Sequence, residues 1–71
     1  MKIKLNGKEQ EIEINSEPNH PSILHLLKTL ELAGKPVVIE HNKTAVFPRD
    51  YGSTNIKEND QIEIINIAAG G

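Results

Sequence analysis

Along the first fifteen residues, MKIKLNGKEQEIEIN, apolar and polar positions alternate in two runs. Ile3 and Leu5 fall on one face of a strand, with Lys2 and Lys4 on the other. Gln10, Ile12 and Ile14 share a face of a second strand, opposite Glu9, Glu11 and Glu13. Asn6-Gly7 lies between the runs, and both residues tolerate positive φ, so the pattern predicts a tight antiparallel hairpin. The period then changes. Ile23, Leu26, Leu27 and Leu30 are spaced by 3, 1 and 3, the apolar stripe of a single helix. Asn19 or His20 is placed to cap it, with Pro21 in the first turn, and Gly34 followed by Pro36 predicts its stop.

PVVIEHN reads as a buried strand, followed by a turn at Asn42-Lys43 and a short strand, TAVF. PRDYGSTN is irregular, with room for one helical turn. KENDQIEIINI is a turn into a last strand, and Asn59 suits a left-handed position in that turn. The order is therefore strand, strand, helix, strand, short strand, strand. One helix on one sheet makes two layers, an α+β architecture. The first and last strands carry the strongest inward faces and are expected side by side at the sheet's centre. That arrangement is the β-grasp, or ubiquitin-like, fold: a mixed sheet of four to five strands packed on one helix. Residues 1–71 are expected to form one domain, with 67–71 a flexible C-terminal tail.

Composition narrows the function classes. Seventy-one residues without cysteine leave no disulfide or thiolate metal site, so an aliphatic core must supply the stability. A net charge of −2 with no basic stripe argues against nucleic acid and against an anionic membrane as partners. No apolar run approaches the ~20 residues of a membrane span, and MKIKLNGK is not a signal peptide, so the expected location is the cytoplasm.

The chain offers little chemistry of its own. His20 and His25, five apart, project about 140° from each other around a helix and do not share a face as metal ligands would. The three histidines read as solvated cap and loop residues, and no metal is expected. Glu9, Glu11 and Glu13 form a solvated row with nothing to split their pKa values. Ser16, Ser22 and Ser53 have no base at a recognisable spacing, and no glycine loop cradles phosphate. An enzyme acting alone is not expected.

What remains is the end of the sequence, IAAGG. Gly70 and Gly71 lack Cβ atoms, so their backbone can thread a channel too narrow for a side chain, and Ala68 and Ala69 keep the approach slim. Residues 67–71, fully extended, reach roughly 17 Å beyond the sheet, enough to enter another protein's active site. An ionised carboxylate is a poor electrophile, so chemistry at Gly71 needs activation by a partner, for which an acyl-adenylate is the obvious form.

MKIKLNGK, VVIEHNKTAVFPRDY, ENDQIEI and the closing AAGG resemble, in order and spacing, the segments of the ThiS family of sulfur carriers in thiamin thiazole biosynthesis, a branch of the ThiS/MoaD group. The resemblance implies a cycle. An E1-like, ThiF-type enzyme adenylates Gly71 with Mg·ATP, and a cysteine desulfurase or other persulfide donor supplies sulfur. A ThiG-type thiazole synthase then consumes the resulting thiocarboxylate. The chain itself binds no cofactor on this reading. Three departures stand out: Asn59 where glycine is usual, FPRD for the commoner VPRS, and Tyr51 for a tryptophan. INIAAGG lacks the Pro-Pro step often found in molybdopterin carriers, which favours the thiazole pathway. The alternatives are a molybdopterin-synthase or tRNA-thiolation carrier, a lysine-linked modifier, or a β-grasp interaction module that is never acylated.

A docking face is also open to reading. If Ile62 and Ile64 meet the helix, then Ile65 and Ile67 face outward beside the tail and suit a partner surface; a β-bulge would instead tuck them in. Arg49 is either a solvated side chain or a partner contact.

Overall fold

The computed structural model describes residues 1–14 and 21–67. Strands β1 (Lys2–Leu5) and β2 (Lys8–Glu11) form the expected hairpin, with Lys2 opposite Glu11 and Leu5 opposite Lys8. Asn6 and Gly7 turn the chain with φ of 50° and 83°. That pair of left-handed residues matches the turn to the right-handed twist of the strands. The second strand is shorter than the alternation predicts. It ends at Glu11, opposite the first residue of β1. Beyond it Ile12 still exchanges two bonds with Met1, its N–H donating to the Met1 carbonyl at 2.9 Å and its carbonyl accepting from the Met1 ammonium at 3.1 Å. Ile12 is still buried, and Ile14 packs partly against the core, so the inward face outlasts the ladder.

Helix α1 (Ile23–Thr29) buries Ile23, Leu26 and Leu27, with Leu30 half-buried behind them. Its ends differ from expectation. The cap is Ser22, so Pro21 lies before the helix rather than in its first turn. Asn19 and His20 lie outside the described residues. The Ser22 Oγ accepts from the His25 N–H at 3.3 Å, and the His25 Nδ1 accepts from the Ser22 N–H at 3.1 Å. This is a reciprocal capping box with histidine in the place usually taken by Glu or Gln. The two preceding free donors are taken by the irregular segment that crosses the helix start: the Ile23 N–H donates to the Thr54 carbonyl and the Leu24 N–H to that of Tyr51, both at 3.0 Å.

The C-terminal end is a Schellman motif. The Leu32 N–H donates to the Leu27 carbonyl at 2.7 Å and the Glu31 N–H to that of Lys28 at 3.1 Å. Glu31 takes the left-handed position at φ 60°, so the helix stops before Gly34, whose own φ of 80° serves the loop into the next strand.

Strand β3 (Val37–His41) pairs with β4 (Thr44–Val46) through a turn in which Asn42 and Lys43 both have positive φ. A single 3-10 turn (Pro48–Asp50) follows, and strand β5 (Gln61–Asn66) closes the fold after Asn59 at φ 70°. The sheet order is β2-β1-β5-β3-β4, with β1 and β5 parallel and every other pair antiparallel. The first and last strands are therefore neighbours, and β5 is central. Where β1 stops at Leu5, the Asn6 Oδ1 continues its edge by accepting from the Ile64 N–H at 2.8 Å. One face of the sheet carries Ile3, Leu5, Ile39, Ile62 and Ile64 into a core shared with Ile23, Leu26 and Leu27 of the helix. One helix on a five-stranded mixed sheet in this order is a β-grasp fold.

Candidate docking face at the C-terminal strand

Side chains alternate across a strand, so β5 divides its isoleucines between two faces. Ile62 and Ile64 are 0% and 8% exposed, whereas Ile65 is 52% and Ile67 50% exposed. The strand runs through without a bulge: the pairing with β3 is continuous from Val37 opposite Asn66 to His41 opposite Ile62. Ile65 and Ile67 therefore stand on the outer face, away from the helix.

Two further apolar residues join them. Val38 is the cross-strand partner of Ile65 and is 41% exposed. Phe47 is 58% exposed and follows Val46, which pairs with Ile39, so the register carries Phe47 to the far side of Val38. The result is an apolar row across β3 and β5, with Phe47 just past the end of β4, that ends at Ile67. The Ile67 N–H donates to the Pro36 carbonyl at 2.9 Å, which holds the last described residue beside the start of β3. Sequence reasoning missed Val38 and Phe47. PVVIEHN looks buried throughout, and only the register with β5 turns its second valine outward.

Arg49 lies at the rim of this row. Its guanidinium carbon is 5.8 Å from the centre of the Phe47 ring, within the range of a cation–π contact. Its Nε is 3.5 Å from the Asp50 carboxylate, and the side chain remains 82% exposed. Gly71, Gly70, Ala69 and Ala68 lie outside the described residues.

Of the two histidines among the described residues, His25 takes a cap role and His41 departs from the expectation. His25 is a capping residue, and its Nδ1 is also 2.8 Å from the Ser22 Oγ, a hydroxyl–imidazole spacing that the sequence reading overlooked. Ser22 is only 1% exposed, so that hydroxyl is closed to any substrate. His41 is not a solvated loop residue: its Nε2 is 2.7 Å from the Asp60 Oδ2, and both side chains are largely buried. Burial pushes the Asp60 carboxyl up, but hydrogen bonds from His41, the Lys57 N–H and the Asn42 side chain outweigh it and hold it below the ordinary value. These bonds fasten the β3–β4 turn to the entry of β5. Among the described residues, no three His, Cys, Asp or Glu side chains are grouped as metal ligands. No helix among them is long and apolar enough to cross a membrane.

The backbone superposes on two solved structures of a thiamine biosynthesis protein, ThiS, from Geobacter metallireducens. The TM-scores are 0.78 for the crystal structure, at 24% identity, and 0.79 for the solution structure, at 25%. Each match covers 100% of this chain, and 100% and 88% of the respective neighbours. By sequence, the chain is 29% identical over 69 residues to the sulfur carrier protein ThiS of Bacillus subtilis, covering 97% of this chain and 98% of that protein. It is also 35% identical over 71 residues to a thiazole synthase of Magnetococcus marinus; that match takes in all of this chain and spans only 20% of the synthase's length. The model of the ThiS family matches residues 3–71, nearly the whole sequence, and the chain belongs to the ThiS family.

Proposed function

We propose that this protein is a sulfur carrier for formation of the thiamin thiazole ring, with the cargo held at the carboxyl group of Gly71. The observation that carries the reading is family membership over residues 3–71 together with the Gly-Gly of the sequence. Among the described residues the one hydroxyl–imidazole contact noted, Ser22 with His25, is buried in the helix cap, and no group of metal-ligating side chains stands against it. An E1-like adenylyltransferase brings the Gly71 carboxylate to the α-phosphate of ATP; a carboxylate oxygen attacks phosphorus and pyrophosphate leaves. A persulfide sulfur then attacks the acyl carbon and displaces AMP. Reductive cleavage of the resulting S–S bond by a thiol leaves the thiocarboxylate, whose sulfur passes to a thiazole synthase. The carrier is a co-substrate in this cycle and not a catalyst.

Similarity to part of a thiazole synthase supports the thiazole pathway over the molybdopterin and tRNA branches. The outer-face residues Ile65 and Ile67, with Arg49 at the rim, are the docking surface on this reading. Ala68, Ala69 and Gly70 are the slim connection that lets Gly71 enter the partner's site. The role calls for the cytoplasm, where ATP is at hand. The test is geometric: deletion of Gly71, or addition of one alanine after it, is expected to abolish ATP-dependent release of pyrophosphate by the activating enzyme. Activation of the extended chain at the original rate would refute the assignment of Gly71.

A further inference from the structure

The outer face carries a feature that the apolar row does not explain. Glu40 of β3 and Glu63 of β5 are directly opposed Cα partners, and both have the parity of Val38 and Ile65. Two carboxylates set opposite one another on one face repel, and such pairs lower the stability of a sheet. Neither is within 4.0 Å of a cationic side chain among the described residues, where the Met1 ammonium pairs with Glu11, Arg49 with Asp50, and the His41 ring is hydrogen-bonded to Asp60. Lys4 and Lys43 line the same shallow hollow as the two glutamates without closing on them. The pair is one step along each strand from Val38 and Ile65, a distance of about 7 Å.

We propose that Glu40 and Glu63 are the charged half of the docking face, and that they receive a basic side chain, best a guanidinium, of the activating enzyme. This rests on the carrier reading above. Four residues follow Ile67 in the sequence and extend at most ~3.6 Å each, so a protein acting on Gly71 comes within about 14 Å of Ile67. A stable interface covers about 800 Å² per partner, more than four half-exposed side chains supply, and the next row of the face is the glutamate pair. A surface that covers Val38 and Ile65 strips water from the neighbouring carboxylates. Two carboxylates left without water or a counter-charge would oppose binding, so the enzyme must present a cation there. A planar guanidinium can bond to both at once.

The experiment uses the full-length chain, its Glu63→Gln and Glu40→Gln variants, and the activating enzyme of the same host. Affinity is measured by calorimetry at about 0.05 M and about 0.5 M salt, and stability by urea titration. Each variant is expected to bind about tenfold more weakly, with a shallower salt dependence, while its unfolding midpoint stays level or rises because the repulsion is relieved. A merely structural role would move stability and binding down together. Binding equal to that of the unmodified chain, or a loss that follows a loss of stability, overturns the proposal; so does failure of the unmodified chain to bind at all. If the unmodified chain binds and the Gln variants bind weakly, but no pyrophosphate is released, the docking inference stands and the carrier reading fails.

Discussion

Ile64 and Ile65 are adjacent, identical in type and placed on opposite faces, so truncating each to alanine isolates burial from chemistry. Ile→Ala removes three carbons, worth about 2.4 kcal/mol of transfer free energy at ~0.8 kcal/mol per methylene. Ile64 is 8% exposed and lies in the core cluster beside Ile39 and Ile62, so the cavity left behind adds to that figure. The expected loss is about 3–4 kcal/mol, inside the 2–5 kcal/mol range of such truncations. Ile65 is 52% exposed, which halves the transfer loss to about 1.2 kcal/mol and leaves no enclosed cavity. At about 0.05–0.15 kcal/mol per residue, a 71-residue domain has roughly 4–11 kcal/mol in total, so Ile64→Ala removes a large share and Ile65→Ala a small one. Urea titration followed by far-UV circular dichroism measures both, and equal slopes keep the comparison two-state. Equal losses, or a larger one at Ile65, would refute the division of β5 into a core face and a docking face.

Other outcomes follow from the helix ends and the buried carboxylate. Ser22→Ala removes the acceptor for the His25 N–H and should cost about 0.5–2 kcal/mol in the same titration; no loss would mean that the capping box is idle. Glu31→Gly places glycine at φ 60° and should stabilise by up to about 1 kcal/mol; destabilisation would show that Glu31 contributes something the Schellman geometry does not reveal. Asp60 has a folded pKa below its unfolded value of about 3.9, so its stabilising contribution is complete above that pH and is lost as pH falls through the lower, folded value. Stability measured from neutral pH down to about pH 2 should therefore fall less steeply for Asp60→Asn than for the unmodified protein, and parallel curves would remove Asp60 from the account.

Much of the fold was legible because local chemistry and global packing agree. Asn6-Gly7 and Asn59 announce left-handed positions and occupy them, and the stripe from Ile23 to Leu30 faces the sheet. The helix ends were misread for physical reasons. Ser-x-x-His is not a familiar capping pair, and the N–H groups of Ile23 and Leu24 are satisfied by carbonyls of Thr54 and Tyr51, about thirty residues away in sequence. Likewise a glutamate, not the nearby glycine, takes the left-handed stop. The outward faces of Ile65 and Ile67 could be stated from parity, but Val38, Phe47 and the Glu40–Glu63 pair could not. Their placement depends on which strand lies beside which, and pairing between distant segments leaves no local trace.

The central claim is that Gly71 carries sulfur as a thiocarboxylate. Intact-mass spectrometry tests it most directly, on the full chain after incubation with its E1-like enzyme, Mg·ATP, a persulfide donor and a thiol reductant. The account predicts a protein in which one oxygen is replaced by sulfur, the change confined by fragmentation to residue 71 and absent when ATP is withheld. An unchanged mass under conditions in which the enzyme activates a known carrier, or sulfur found at any other residue, would contradict it.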